Sequence, residues 1–90
     1  MVIMVLEKVP TSVRGELSRW LVEVKSGVFV GKVSGMVREK LWERCKGRKG
    51  IGAVIQIWPF NNEQGFLIRA EGLKDRLIVD YEGLQLVKRA

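Results

Sequence analysis

Five consecutive apolar residues, Val2-Ile3-Met4-Val5-Leu6, stop abruptly at Glu7-Lys8. A run this short and this uniformly apolar fits a strand covered on both faces. The rest of the chain has to supply that cover. Pro10 disfavours helix before it, and Thr11 or Ser12 can cap a helix after it. Val13, Leu17, Trp20, Leu21 and Val24 then fall on one face of an amphipathic helix expected over Val13–Val24 and ended by Ser26-Gly27. Val28-Phe29-Val30, closed by Gly31, is a short strand. Ser34 can cap a second helix that reaches Cys45, with Val37, Leu41 and Cys45 as its buried stripe.

Beyond the glycine-punctuated turn Lys46–Gly50, the stretch Ile51 to Trp58 reads as a strand with Ile51, Ala53, Ile55 and Ile57 on one face. Asn61-Asn62 suits a turn, and Phe66 to Ala70 returns as the hairpin partner. Leu77–Val79 and Leu84–Val87 are short apolar runs on either side of Asp80–Gly83. The expected order is β-α-β-α-β-β with a short last strand near residues 84–88. Two helices on one face of a mainly antiparallel sheet make an α/β (α+β) two-layer sandwich in a single domain over residues 1–90. The last strand pairs either with its own sheet or with a neighbouring subunit's edge.

Composition narrows the function classes. With 90 residues, 47% of them hydrophobic, the chain is a folded domain that buries only about 60–65% of its unfolded surface. Three tryptophans and a detached last strand carry more apolar surface than one small core hides, so a homodimer is expected. No apolar run approaches a membrane span, and Met1–Leu6 is too short for a signal-peptide core. The lone cysteine excludes an intrachain disulfide and points to a reducing, cytoplasmic setting. The absence of histidine removes the commonest general base and metal ligand, which leaves carboxylates, lysine or hydroxyls working with a hard metal such as magnesium. The net charge of +6 is confined to residues 1–50, with eleven Lys/Arg against five Asp/Glu, while residues 51–90 hold five of each. That imbalance favours a phosphate-bearing partner, nucleic acid first.

Two readings of Glu7 stand side by side. It is a solvent-facing strand terminus, or a two-fold dimer brings two copies together into a metal site. Arg14 lies in the first turn of the expected first helix, where free N–H groups already favour anions, and Gly15 beside it leaves room for a backbone to approach. Lys46, Arg48 and Lys49 in one loop, and Lys74 and Arg76 around Asp75 in another, read as solvated loops or phosphate contacts. Trp20, Trp42 and Trp58 read as core or interface residues and not as stacking platforms. Gly47, Gly50 and Gly52 do not form a phosphate-binding loop, because no Lys-Ser/Thr follows and a strand comes next.

Several segments together resemble a known family: Glu7-Lys8-Val9-Pro10, Arg14-Gly15, Trp20–Val24, Gly27-Val28-Phe29-Val30-Gly31, Trp42-Glu43, Gly65-Phe66, and Gly83-Leu84-Gln85-Leu86-Val87. The chain is similar, nearly end to end, to the small CRISPR-associated subunit of the spacer-integration complex, in its type I-E branch. The resemblance implies a ferredoxin-like homodimer that sits between two dimers of a separate integrase and holds the backbone of spacer-precursor duplex DNA. No cofactor is needed for that scaffold role. Arg14 and Arg76 match duplex-contacting arginines, while Ser12 and Asp75 stand where two further family arginines would be. Glu7 matches an acidic position which, in other branches, is an aspartate credited with metal-dependent nuclease activity, so Mg2+ at paired Glu7 carboxylates is the competing reading. The candidate nucleic-acid contacts are Arg14, Arg76, Lys74, Arg38 and Arg19. The candidate dimer or partner contacts are Glu63, Glu82, Leu84 and Leu86.

Overall fold

The computed structural model describes residues 1–90. In chain order the elements are β1 (Val2–Glu7), α1 (Thr11–Ser18), β2 (Val22–Lys25), β3 (Val28–Gly31), α2 (Gly35–Cys45), β4 (Ala53–Pro59), β5 (Phe66–Glu71), β6 (Arg76–Tyr81) and β7 (Leu84–Arg89). The first five strands form one sheet in the order β2-β3-β1-β4-β5, and β6 and β7 form a separate hairpin. Every neighbouring pair in the large sheet is antiparallel. The element order β-α-β-β-α-β with strand order 2-3-1-4 is the ferredoxin-like sandwich, here widened by β5 on the outer side of β4. No helix is long and apolar enough to cross a membrane.

This order corrects the one expected from the sequence. The helix expected over Val13–Val24 ends at Ser18, and Val22–Lys25 is a strand. The helical spacing holds through Leu21, whose N–H still donates to the Leu17 carbonyl at 2.8 Å. Beyond it, β-branched Val22 and Val24 alternate with Glu23 and Lys25, a pattern that suits a strand better than a helix. Ser26-Gly27 turns a hairpin instead of capping a helix. Gly27 has φ +79°, and a Cβ there would collide with the Leu6 carbonyl oxygen, so the turn requires glycine. The expected cap from Thr11 or Ser12 is absent, since Pro10 occupies the cap position of α1 without a side-chain bond. Ser34 does cap α2, accepting from the Val37 N–H.

Alternation along β1 sorts the two faces of the sheet. Val2, Met4 and Leu6 are buried beneath the helices with Phe29 and Val54, against Val13 and Leu17 of α1 and Leu41, Trp42 and Cys45 of α2. The registers place Ile3 beside Val30 and Ile57, Val5 beside Val28 and Ile55, and Ile57 beside Ile68, all on the opposite face. These residues are only half-buried. The face of β4 that carries Ile55 and Ile57 is therefore the open one. Val54, Gln56 and Trp58 face the helices.

Candidate nucleic-acid interface

One end of the sheet gathers most of the sequence-predicted contacts. β1 ends there at Glu7, β4 begins there opposite it at Ala53, and β5 ends there opposite Val54. The β2–β3 turn is tied to the same end by the Leu6 N–H to Gly27 carbonyl bond. The start of α1 and the loop after α2 converge on it too, with Gly50 against the Pro10 ring and Arg48 within reach of the Ser12 hydroxyl at 3.4 Å. Lys8, Arg14, Arg48, Lys49, Lys74 and Arg76 all belong to this rim.

Arg14 is held by the fold. Its Nε donates to both carboxylate oxygens of Glu23, at 3.0 and 3.1 Å, and Glu23 also accepts from the Gly27 N–H at 2.9 Å. The Gly27 N–H foremost, with help from Arg14, keeps the Glu23 carboxyl below its ordinary value against the opposing effect of burial. Both terminal amino groups of Arg14 stay unengaged, a fork ready for a phosphate. Arg76 spends one amino group on Asp75, at 2.8 Å from the carboxylate, and the rest of its guanidinium is free. Lys74 makes no ion pair and shares a shallow cleft with Glu7, Lys8 and Asp75.

That cleft tests whether Glu7 fits a catalytic metal. Glu7 is exposed, two ammonium groups share the cleft, and the second carboxylate, Asp75, is already paired with Arg76. No group of three or more His, Cys, Asp or Glu side chains comes together anywhere in the chain. The donor set of one copy does not fit a catalytic divalent cation, and no chemical step is derived through one. Cys45 offers no alternative nucleophile: burial pushes its thiol up to about 11.

The other candidate cations lie elsewhere. Arg38 and Arg69 flank Trp58, at 4.7 and 4.8 Å from the ring centroid, and Arg69 also lies 4.6 Å from the centroid of Trp42. Both arginines bind Glu39, whose carboxyl is held below its ordinary value chiefly by Arg69. Gln56, fully buried, donates to the Arg38 carbonyl and accepts from Arg69. This ladder pins α2 to β4 and β5, and it is not legible in the sequence, because its members are spread from residue 38 to residue 69. Arg19 stands apart, beside a groove between α1 and α2.

The candidate partner residues gather at the opposite end. Glu63 lies in the β4–β5 turn and Glu82 in the β6–β7 turn, where Glu82 and Gly83 both have positive φ as a tight hairpin needs. Leu84 and Leu86 are exposed on β7 and flank Gln85. The Gln85 carboxamide copies a strand residue, accepting from the Ile68 N–H at 2.7 Å and donating to the Ile68 carbonyl at 2.8 Å. Gln64 answers in kind, its side chain bonding the N–H and carbonyl of Gln85. Within one chain β7 pairs with β6, and these amides tether the hairpin to β5.

A family model described as CRISPR-associated protein (Cas_Cas2CT1978) matches residues 1–86. The chain belongs to this Cas2-type family of CRISPR-associated proteins.

Proposed function

We propose that the protein is the scaffold subunit of a CRISPR spacer-acquisition complex of the type I-E branch. In this reading a homodimer holds the backbone of spacer-precursor duplex DNA and bridges two integrase dimers. The observation that carries it is the rim at the end of β1, where Lys8, Arg14, Arg48, Lys49, Lys74 and Arg76 gather from loops and from the starts of α1 and β6, with Lys8, Lys49 and Lys74 outside any ion pair. Cations gathered around one end of a rigid sheet suit an extended phosphate backbone and read no sequence.

The test is salt dependence. Duplex affinity should fall with salt at about −0.9 in log–log slope per phosphate neutralised. Arg14→Ala and Arg76→Ala should each flatten the slope by roughly one unit, with equal losses on unrelated sequences. An unchanged slope in both variants would remove the rim from the interface and the scaffold reading with it.

A further inference from the structure

Trp20, read from the sequence as a core or interface residue, lies outside the core. It follows the end of α1, its N–H still donating to the Leu17 carbonyl at 3.0 Å, and its side chain is not in the core but 53% exposed. The indole lines a groove of about 410 Å³ between α1 and α2, within the size range of small-ligand sites. Arg19, Lys40 and Arg44 line it as well, with Leu41 at its floor and Glu16 as its one acidic residue.

Glu16 offsets only one of those cations, Arg44. It is already shared between Arg44 at 3.4 Å and Arg48 at 3.8 Å. Arg19 and Lys40 have no carboxylate within ion-pair distance, so the groove keeps a net positive charge around one exposed aromatic face. It lies in the helical layer, behind the open sheet face, and shares no residue with the rim at the end of β1.

An exposed aromatic face next to the free cations Arg19 and Lys40 is what a single-stranded nucleic acid fits: the ring stacks a base and the cations neutralise its phosphates. A duplex satisfies the cations but keeps its base faces inside its own stack. An acidic peptide satisfies the cations and has no ring for the indole. We propose that the α1–α2 groove binds single-stranded nucleic acid, with a base stacked on Trp20 and the adjoining phosphates met by Arg19, Lys40 and Arg44.

The experiment titrates the full chain into a labelled oligothymidylate of about ten nucleotides and, separately, into a blunt duplex of the same length. Trp20→Ala should weaken oligothymidylate binding roughly 5- to 150-fold, the equivalent of losing one base–aromatic stack, and Trp20→Phe should restore most of it. Blunt-duplex affinity, which reports on the rim, should not change. Arg19→Gln combined with Lys40→Gln should flatten the single-strand salt slope by about 0.7 per phosphate, and it serves as the test if Trp20→Ala fails to fold. Single-strand binding that is indifferent to both sets of substitutions would overturn the proposal. Equal losses on single strand and duplex, or an oligoglutamate that competes as well as the oligothymidylate, would overturn it too.

Discussion

Arg69 concentrates more of the fold's polar chemistry than any other side chain. Its guanidinium lies against Trp42 and Trp58, binds the Glu39 carboxylate at 3.1 and 2.7 Å, and donates to the fully buried oxygen of Gln56. Arg69→Met would keep much of the packing and leave that oxygen without its donor, costing about 1–3 kcal/mol. Lost cation–π contacts add about 0.5–1 kcal/mol each. Arg69→Lys should recover little, because a compact ammonium cannot lie flat on a ring and bond two partners at once. Urea unfolding midpoints of the two variants check this. The neighbouring carboxylates set a pH dependence. Glu23 and Glu39 both have folded-state values below the ordinary 4.5, so the unfolded chain takes up protons first as pH falls. Their contribution is complete above about pH 4.5 and is lost as pH drops through the lowered values. The urea midpoint should therefore be flat from neutral pH down to that point and fall below it, with a smaller drop in Glu23→Gln.

At the scale of elements, legibility followed how local the deciding interaction is. β1, α2 with its Ser34 cap, and the β4–β5 hairpin were readable because patterning and turn residues within each segment determine them. β2 is the exception: Val13, Leu17 and Leu21 keep a helical spacing into the turn before it, the four-residue alternation from Val22 to Lys25 is a weak local signal, and the Gly27 approach to Leu6, made across the sheet, decides for the strand. The functional side chains divide in the same way. The loop cations of the rim could be named from the sequence, whereas the Arg69 ladder and the exposure of Trp20 depend on which helix covers which strand. The last hairpin shows the same dependence on distant partners, since its tether to β5 is made by the side chains of Gln64 and Gln85. Gln85→Glu keeps an acceptor for the Ile68 N–H and loses the donor to the Ile68 carbonyl. Faster hydrogen exchange at Ile68 and faster proteolysis in the loop at residues 72–75 are expected. Exchange at wild-type rates would mean that backbone contacts alone hold the hairpin.

For the whole molecule, the decisive feature is a sheet with two apolar faces and one helical layer. The helices cover Val2, Met4, Leu6 and Phe29, and the other face leaves Ile3, Val5, Val28, Val30, Ile55, Ile57 and Ile68 half-buried, with Val22 66% exposed beside Val30. Both helices pack on the first face, so neither covers the second. The proposed homodimer supplies a cover: a second sheet at about 10 Å face-to-face spacing would interdigitate with the first. Ile57 sits between Ile3 and Ile68 at the middle of this face, so Ile57→Glu places a carboxylate there in each copy, and two-fold symmetry doubles the effect. Burying such charges costs several kcal/mol apiece, enough to separate the subunits. Because the wild-type side chain is not in the helical core, the monomer should stay folded, with an unchanged far-UV spectrum. Light scattering at micromolar concentration should give twice the chain mass for the wild type and one chain mass for Ile57→Glu. Glu7→Ala is the matching control, since Glu7 is exposed at the end of β1, at the margin of the Ile3–Val5 face and not in its middle. The variant should stay dimeric and support spacer integration near the wild-type level in a reconstituted complex. Loss of integration with assembly intact would replace the scaffold reading with a catalytic one, and a wild-type monomer would remove the symmetric dimer on which both readings rest.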